Sequence, residues 1–344
     1  MITHDDENVK PFLQKHRGRK SNVEKKIEKM TKLKKVSSEV VALAYGSMSD
    51  RSLREKSHIV RDCGSFVTGS IVEDKQTKKQ IFKIEHANFC KVRLCPMCQW
   101  RRGAKMQTQM IQVFEYINQA YDFGVRYIFM TLTVPNPTAD ELSEKIDEMQ
   151  KAWKVLTSDF RKMRRSMRGW YRSLEITHNK KADTYHPHFH AIVAVDADYF
   201  TSPDKYITHD ELLQAWRDAM DDQTITQVDI RAFKGTSLKQ MLKSVQEACK
   251  YIAKPSSMIY TAKEAPQIWL QYTADTMEVV HHAIQRRRLI AFGGIIAQAR
   301  RELGLTSVEG NDADLDDDDT GTAKRIKKIS LIWAGGFYQI TEIE

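Results

Sequence analysis

One run of eleven residues, Tyr185-His-Pro-His-Phe-His-Ala-Ile-Val-Ala-Val195, limits the fold of this chain more than any other part of it. Its apolar, β-branched second half favours extended backbone, and in a strand successive side chains point to opposite faces. His188 and His190 therefore share one face, while Phe189, Ala191, Val193 and Val195 turn the other way, into a core. Two imidazoles side by side on one face are a ready pair of metal ligands.

Strands and helices alternate around this run. Val125-Arg-Tyr-Ile-Phe-Met-Thr-Leu-Thr-Val134 reads as a strand closed by Pro135-Asn-Pro137. Thr138-Ala-Asp-Glu141 has a capping-box pattern, and Leu142, Ile146, Met149, Trp153, Leu156 and Phe160 follow as one apolar stripe. Trp170 to Thr177 reads as a second strand, His178 to Pro187 as a loop and His188 to Val195 as a third strand. Thr208-His-Asp-Glu211 repeats the capping box, Thr226 to Phe233 is a short strand, and Ser237 to Lys254 is an amphipathic helix. No Gly-rich dinucleotide turn accompanies these elements, so the expected class is α+β with a mostly antiparallel sheet.

Three constellations carry chemistry. Glu175 lies in the strand before the histidine strand, so a hairpin can bring its carboxylate beside His188 and His190. Two imidazoles and a carboxylate suit a divalent cation, with Mg²⁺ or Mn²⁺ fitting a phosphate substrate, and leave coordination positions open. His186 and His178 are expected at the rim. On the helix from Ser237, Leu238, Met241, Leu242, Val245, Ala248, Cys249 and Ile252 fall on one arc. Glu247, Tyr251 and Lys254 fall opposite, flanked by Lys243 and Lys250. A phenol with a pKa of about 10 needs a base, cations or an activated electrophile to act as a nucleophile. The third constellation is Cys90, Cys95, Cys98 and the upstream Cys63, a set suited to tetrahedral Zn²⁺. His86 competes with Cys63 for the fourth position. Arg101 and Arg102 follow Trp100 and are expected to give this module a basic, DNA-facing edge.

Charge separates along the chain, whose net charge is +9. Arg161-Lys-Met-Arg-Arg-Ser-Met-Arg-Gly-Trp-Tyr-Arg172 has six basic groups and no acid, so Arg161, Arg164 and Arg165 join Lys243 and Lys250 as expected DNA contacts. Asp312 to Asp319 reads as a solvated acidic linker. No apolar run approaches the ~18–20 residues of a membrane helix, and no secretory pattern opens the chain, so a cytoplasmic location with no membrane partner is expected. The expected organisation is a basic, weakly ordered or loosely helical arm over 1–55, a zinc module over 56–115 and a catalytic domain over 120–260. A helical part over 261–305 and an acidic linker and tail over 306–344 complete it.

These segments together resemble the rolling-circle replication initiators of small Gram-positive plasmids, single-tyrosine members of the HUH endonuclease superfamily. Phe129-Met-Thr-Leu-Thr-Val-Pro-Asn136 is similar to the family's first motif, and Tyr185 to Val193 to its metal-binding second motif. Glu247-Ala-Cys-Lys-Tyr-Ile-Ala-Lys254 is similar to the third, and Phe89 to Arg102 to the cysteine segment. The resemblance implies an antiparallel sheet flanked by helices. It also implies that Tyr251 attacks one phosphodiester of a double-stranded origin held partly single-stranded, leaving a 5′-phosphotyrosine link and a free 3′-OH. Glu175, His188 and His190 would hold the catalytic cation, and Glu247 would activate water at termination. Host helicase and DNA polymerase are the implied partners, with room for several copies on the DNA. Three rivals make different predictions. A zinc-bearing regulator would bind DNA without an adduct, a water-using nuclease would not need Tyr251, and a transposase or mobilisation relaxase would act on other DNA.

Overall fold

The computed structural model describes residues 20–73, 78–121, 124–233, 245–246, 249, 252–253, 255–309, 315, 317 and 324–343. It divides into two compact units, Met1–Arg101 with Ala313–Glu344, and Arg102–Asp312.

The first unit is a four-stranded antiparallel sheet of β1 (Phe66–Glu73), β2 (Gln80–Ala87), β9 (Lys324–Ala334) and β10 (Phe337–Ile343), in the order β10-β9-β1-β2. Helix α1 (Asn22–Val36) starts at a capping box in which Ser21 and Glu24 satisfy each other's backbone N–H groups. Its Val23, Ile27 and Met30 are buried, as are Phe82, Ile84, Ile329 and Leu331 on the strands. Two expectations change here. The N-terminal arm contains a capped helix with a buried stripe, and the supposed tail supplies two strands. The acidic stretch is not wholly solvated either. Leu315 is buried, and Asp317 exchanges backbone and side-chain hydrogen bonds of 2.8 Å with Ile84. An apolar residue inside an acidic run, with β-branched residues after it, gave that segment something to bury.

The second unit carries a mixed sheet in the order β6-β3-β5-β4-β7, with β8 also paired to β4. Its strands are β3 (Val125–Thr133), β4 (Met167–Asn179), β5 (Thr184–Asp196), β6 (Val228–Ala232), β7 (Ile252–Ala253) and β8 (Ile290–Gly293). All neighbours run antiparallel except β7, which is parallel to β4. Strands β4 and β5 are longer than expected because the turn between them is tight. Asn179 Oδ1 accepts from the N–H groups of Lys181 and Ala182, and Asp183 takes a positive φ of 49°. That turn fixes the register in which Glu175 lies opposite His188 and Ser173 opposite His190.

Helices cover both sheet faces. On the Phe189 face, α3 (Leu142–Ser158) places Trp153 against Phe189 and Trp170. There α4 (His209–Met220), opened by the Thr208–Glu211 capping box, places Trp216 against Phe189 with its indole N–H on the Thr133 carbonyl at 2.8 Å. On the other face, α2 (Pro96–Ala120) sets Phe114 on Tyr127, with ring centroids 4.5 Å apart. Helix α5 (Trp269–Ile284) is followed by β8 and α6 (Gly294–Glu302). The junction of β8 and α6 crosses β4 so closely that a Cβ on Gly294, with φ +57°, would lie 2.0 Å from the Arg168 carbonyl. Only glycine fits there.

The unit boundary between Arg101 and Arg102 falls inside the continuous helix α2, rather than near residue 115. The segment 261–305 belongs to the same unit as the histidine strand, and its β8 pairs with β4, the neighbour of that strand. Of the expected helix Ser237–Lys254, Val245 and Gln246 are helical and Cys249 is buried, while Ile252 and Ala253 form a strand. The helix therefore stops before Lys254. Its other residues lie outside the described set.

Candidate metal centres

The hairpin register brings three donors together. Glu175 Oε2 lies 3.1 Å from His190 Nε2 and 3.6 Å from His188 Nε2. One ligand atom from each of Glu175, His188 and His190 falls within 4.8 Å of the other two. Burial favours the neutral acid, but hydrogen bonds and charge from His188 and His190 hold the Glu175 carboxyl well below the usual carboxylate range. An ionised carboxylate beside two imidazole nitrogens is a mixed N/O set suited to a divalent cation.

The orientation of the rings supports this reading. His188 Nδ1 lies 3.2 Å from the His186 carbonyl, which can only accept, so Nδ1 carries the proton. Nε2, the ring nitrogen left for a cation, faces Glu175. His190 Nδ1 lies 3.2 Å from Thr131 Oγ1 on β3, its register partner. Both rings are thus held by the nitrogen that faces away from the site, the arrangement that orients metal-bound histidines. Phe129 packs against His190 with ring centroids 5.4 Å apart. Glu175, His188 and His190 are all buried.

The two weaker histidines separate. His178 lies on β4 rather than at a loop rim, its side chain fully covered and its Nε2 3.0 Å from Asp183 Oδ1. His186 stacks on His188 at 4.9 Å and holds Asn136 Oδ1 at 2.8 Å. Thr131 and Asn136 were not singled out as site residues. The signal was present, since both fall in the Phe129–Asn136 run that resembles a family motif.

The second cluster is in the first unit. Cys63, Cys90, Cys95 and Cys98 place their sulfurs within 4.8 Å of one another. Cys98 Sγ is 3.6 Å from both Cys63 Sγ and Cys90 Sγ. Backbone N–H groups of Cys90 and Lys91 point at the sulfurs of Cys63 and Cys98, at 3.4 and 3.2 Å. Such donors favour thiolates over thiols. The fourth position thus belongs to Cys63, and His86 is exposed on β2. Cys249 is buried apart from this set, and burial pushes its thiol up to about 12.

The basic residues divide differently from expectation. Arg101 and Arg102 are fully buried and cannot form a DNA-facing edge. Arg101 donates to the Leu315 carbonyl and pairs with Asp317 at 2.8 Å, and Arg102 donates to the Val308 carbonyl at 3.0 Å. Helical phase turned both inward, where carbonyl and carboxylate oxygens were waiting. Arg161, Arg164 and Arg165 are exposed, Arg165 with Asp204 at 3.8 Å. Tyr251, Glu247, Lys254, Lys243 and Lys250 lie outside the described residues. Ile252, next in sequence to Tyr251, pairs with Glu175.

A family model described as replication protein matches residues 81–338. The protein rep of Bacillus amyloliquefaciens is 32% identical over 299 residues, covering 82% of this chain and 83% of its own length. The protein rep of Streptococcus pneumoniae is 32% identical over 256 residues, covering 73% of this chain and 74% of its own. A protein rep of Staphylococcus aureus is 37% identical over 201 residues, covering 58% of this chain and 83% of its own. No solved structure matches.

Proposed function

The chain belongs to the replication protein family, and from that premise we propose that it initiates rolling-circle replication of a plasmid by nicking one strand of the origin. The observation that carries the reading is the convergence of Glu175, His188 and His190 on one point, with both rings pre-oriented from behind. A divalent cation held by these residues, Mg²⁺ or Mn²⁺, supplies polarisation of the scissile phosphate when bound.

Tyr251 supplies the nucleophile. Its phenolic oxygen bonds to phosphorus as the bond from phosphorus to the 3′ oxygen breaks. The phenolic proton passes to solvent or a nearby base, and the departing oxygen takes a proton to become the 3′-OH primer. The strand that follows Tyr251 in sequence is paired to β4 at Glu175, which supports placing the nucleophile at this site. Lys254, Lys243 and Lys250 balance phosphate charge, and Glu247 activates water for the closing cleavage. Exposed Arg161, Arg164 and Arg165 contribute phosphate contacts on origin DNA. The four cysteines hold one structural Zn²⁺, for which three buried sulfurs and the half-buried Cys90, with backbone N–H donors, are a fitting cage.

Host helicase and polymerase act on the nicked product, in the cytoplasm. No described helix is long and apolar enough to cross a membrane. The test is incubation of the full chain with end-labelled single-stranded DNA of the cognate plasmid, with and without Mn²⁺. Metal-dependent nicking that leaves the downstream fragment joined to the protein through its 5′ phosphate is the expected result. Binding without cleavage would favour a regulator, and cleavage without a linked fragment a water-using nuclease.

A further inference from the structure

Lys34, near the end of α1, has no exposed surface. Its ammonium donates to the Arg61 carbonyl at 2.5 Å and to Ser65 Oγ at 3.0 Å, and lies 5.9 Å from the centre of the Trp333 ring. No described carboxylate oxygen comes within ion-pair distance of it, 4.0 Å. An ammonium held in the interior by two neutral acceptors is costly unless negative charge stands nearby.

The nearby charge is the cysteine cluster. Arg61 and Ser65 flank Cys63 by two residues on either side. Ser37, one turn beyond Lys34, has its hydroxyl 3.7 Å from Cys95 Sγ. Burial pushes the ammonium pKa down, and the negative charges of Cys63, Asp62, Cys95 and Cys90 oppose that push. Asp62 itself is exposed and already holds the Asn88 amide at 2.8 Å. A doubly charged cation bound by four thiolates leaves two negative charges in excess, inside the protein.

We propose that Lys34 is the counter-charge of the Cys63, Cys90, Cys95 and Cys98 metal centre, so that metal binding and the seating of helix α1 stabilise each other. The inference rests on the zinc reading of that cluster. With metal bound, the ammonium offsets the excess thiolate charge and makes loss of the ion harder. With metal absent and the thiols protonated, the same ammonium has no charge to answer and destabilises the unit. One residue therefore acts with opposite sign in the two states.

The test uses the full chain and two variants, Lys34→Met and Lys34→Gln. Zinc content of the purified wild type is measured first, and a wild type without zinc overturns the zinc reading and this inference with it. Zinc transfer to a colorimetric chelator is then followed under reducing conditions. Both neutral variants should release zinc about 10-fold faster or more, the scale on which partners of metal ligands act. The metal-free Lys34→Met chain should be at least as resistant to urea as the metal-free wild type. Wild-type release rates in both variants would overturn the proposal. So would rescue by Lys34→Gln, which keeps the hydrogen bonds and not the charge, or equal destabilisation by Lys34→Met in both metal states.

Discussion

Replacing Asp317 by asparagine tests the reassignment of the acidic stretch, because this carboxylate ties three parts of the first unit together. Its oxygens accept from Lys26 Nζ, Arg101 Nη2 and the Ile84 N–H, each at 2.8 Å. Burial alone would raise its pKa, but the charges of Arg101 and Lys26 and these hydrogen bonds bring it from 3.8 to about 2. A depression from 3.8 to about 2, at about 1.4 kcal/mol per pH unit, gives roughly 2.5 kcal/mol of stability at neutral pH. The carboxylate is a quarter exposed, which trims that figure. Arg101, left buried without a charged partner, adds to the loss. Because the folded pKa is depressed, the contribution is complete above 3.8 and is lost as pH falls through about 2. Near pH 3 about half should remain. Hydrogen exchange of peptides spanning β1 and β2 reads this unit alone. Asp317→Asn should lower their protection by about 2 kcal/mol at pH 7, and the gap should narrow on acidification. A change below about 0.5 kcal/mol, or a gap independent of pH, would show that Asp317 is a solvated acid after all.

Three further outcomes are expected. His188→Ala, His190→Ala and Glu175→Gln should each abolish metal-dependent nicking, while Thr131→Val, which only unseats the His190 ring, should raise the Mn²⁺ requirement about 10-fold; a Glu175→Gln enzyme active at limiting Mn²⁺ would place the third ligand elsewhere. Cys95→Ser should lower bound zinc from about one per chain and reduce stability before it affects cleavage, which metal analysis and urea unfolding will show. Glu247→Ala should leave initiation nearly intact while closed circles fail to be released, and equal loss of both steps on a two-dimensional gel would assign the glutamate to Tyr251 instead.

The Glu175, His188 and His190 cluster was legible because it depends on local rules. Period-two alternation put His188 and His190 together, and a tight hairpin left little choice of register for Glu175. The cysteine cluster was legible by spacing, and only its fourth member needed the fold. What the sequence concealed depends on where helices and strands bury charge. Arg101 and Arg102 look like surface residues until α2 turns them toward the carbonyls of residues 315 and 308. Lys34 sits in a run rich in lysine, and nothing local marks it as the fully buried member. Strand β9 pairs with β1 across more than 240 residues of sequence, as with Val72 and Arg325, and carries β10 on its other edge, a closure that no window of sequence reveals.

The central claim is that Tyr251 becomes covalently joined to DNA at the metal face. Peptide mass mapping after reaction with single-stranded cognate DNA and Mn²⁺ tests it most directly. The account predicts one nucleotide-modified peptide, with the modification on Tyr251, absent from Tyr251→Phe and from His190→Ala. Modification of a different tyrosine, such as Tyr260, or nicking by Tyr251→Phe at the wild-type rate, would contradict it.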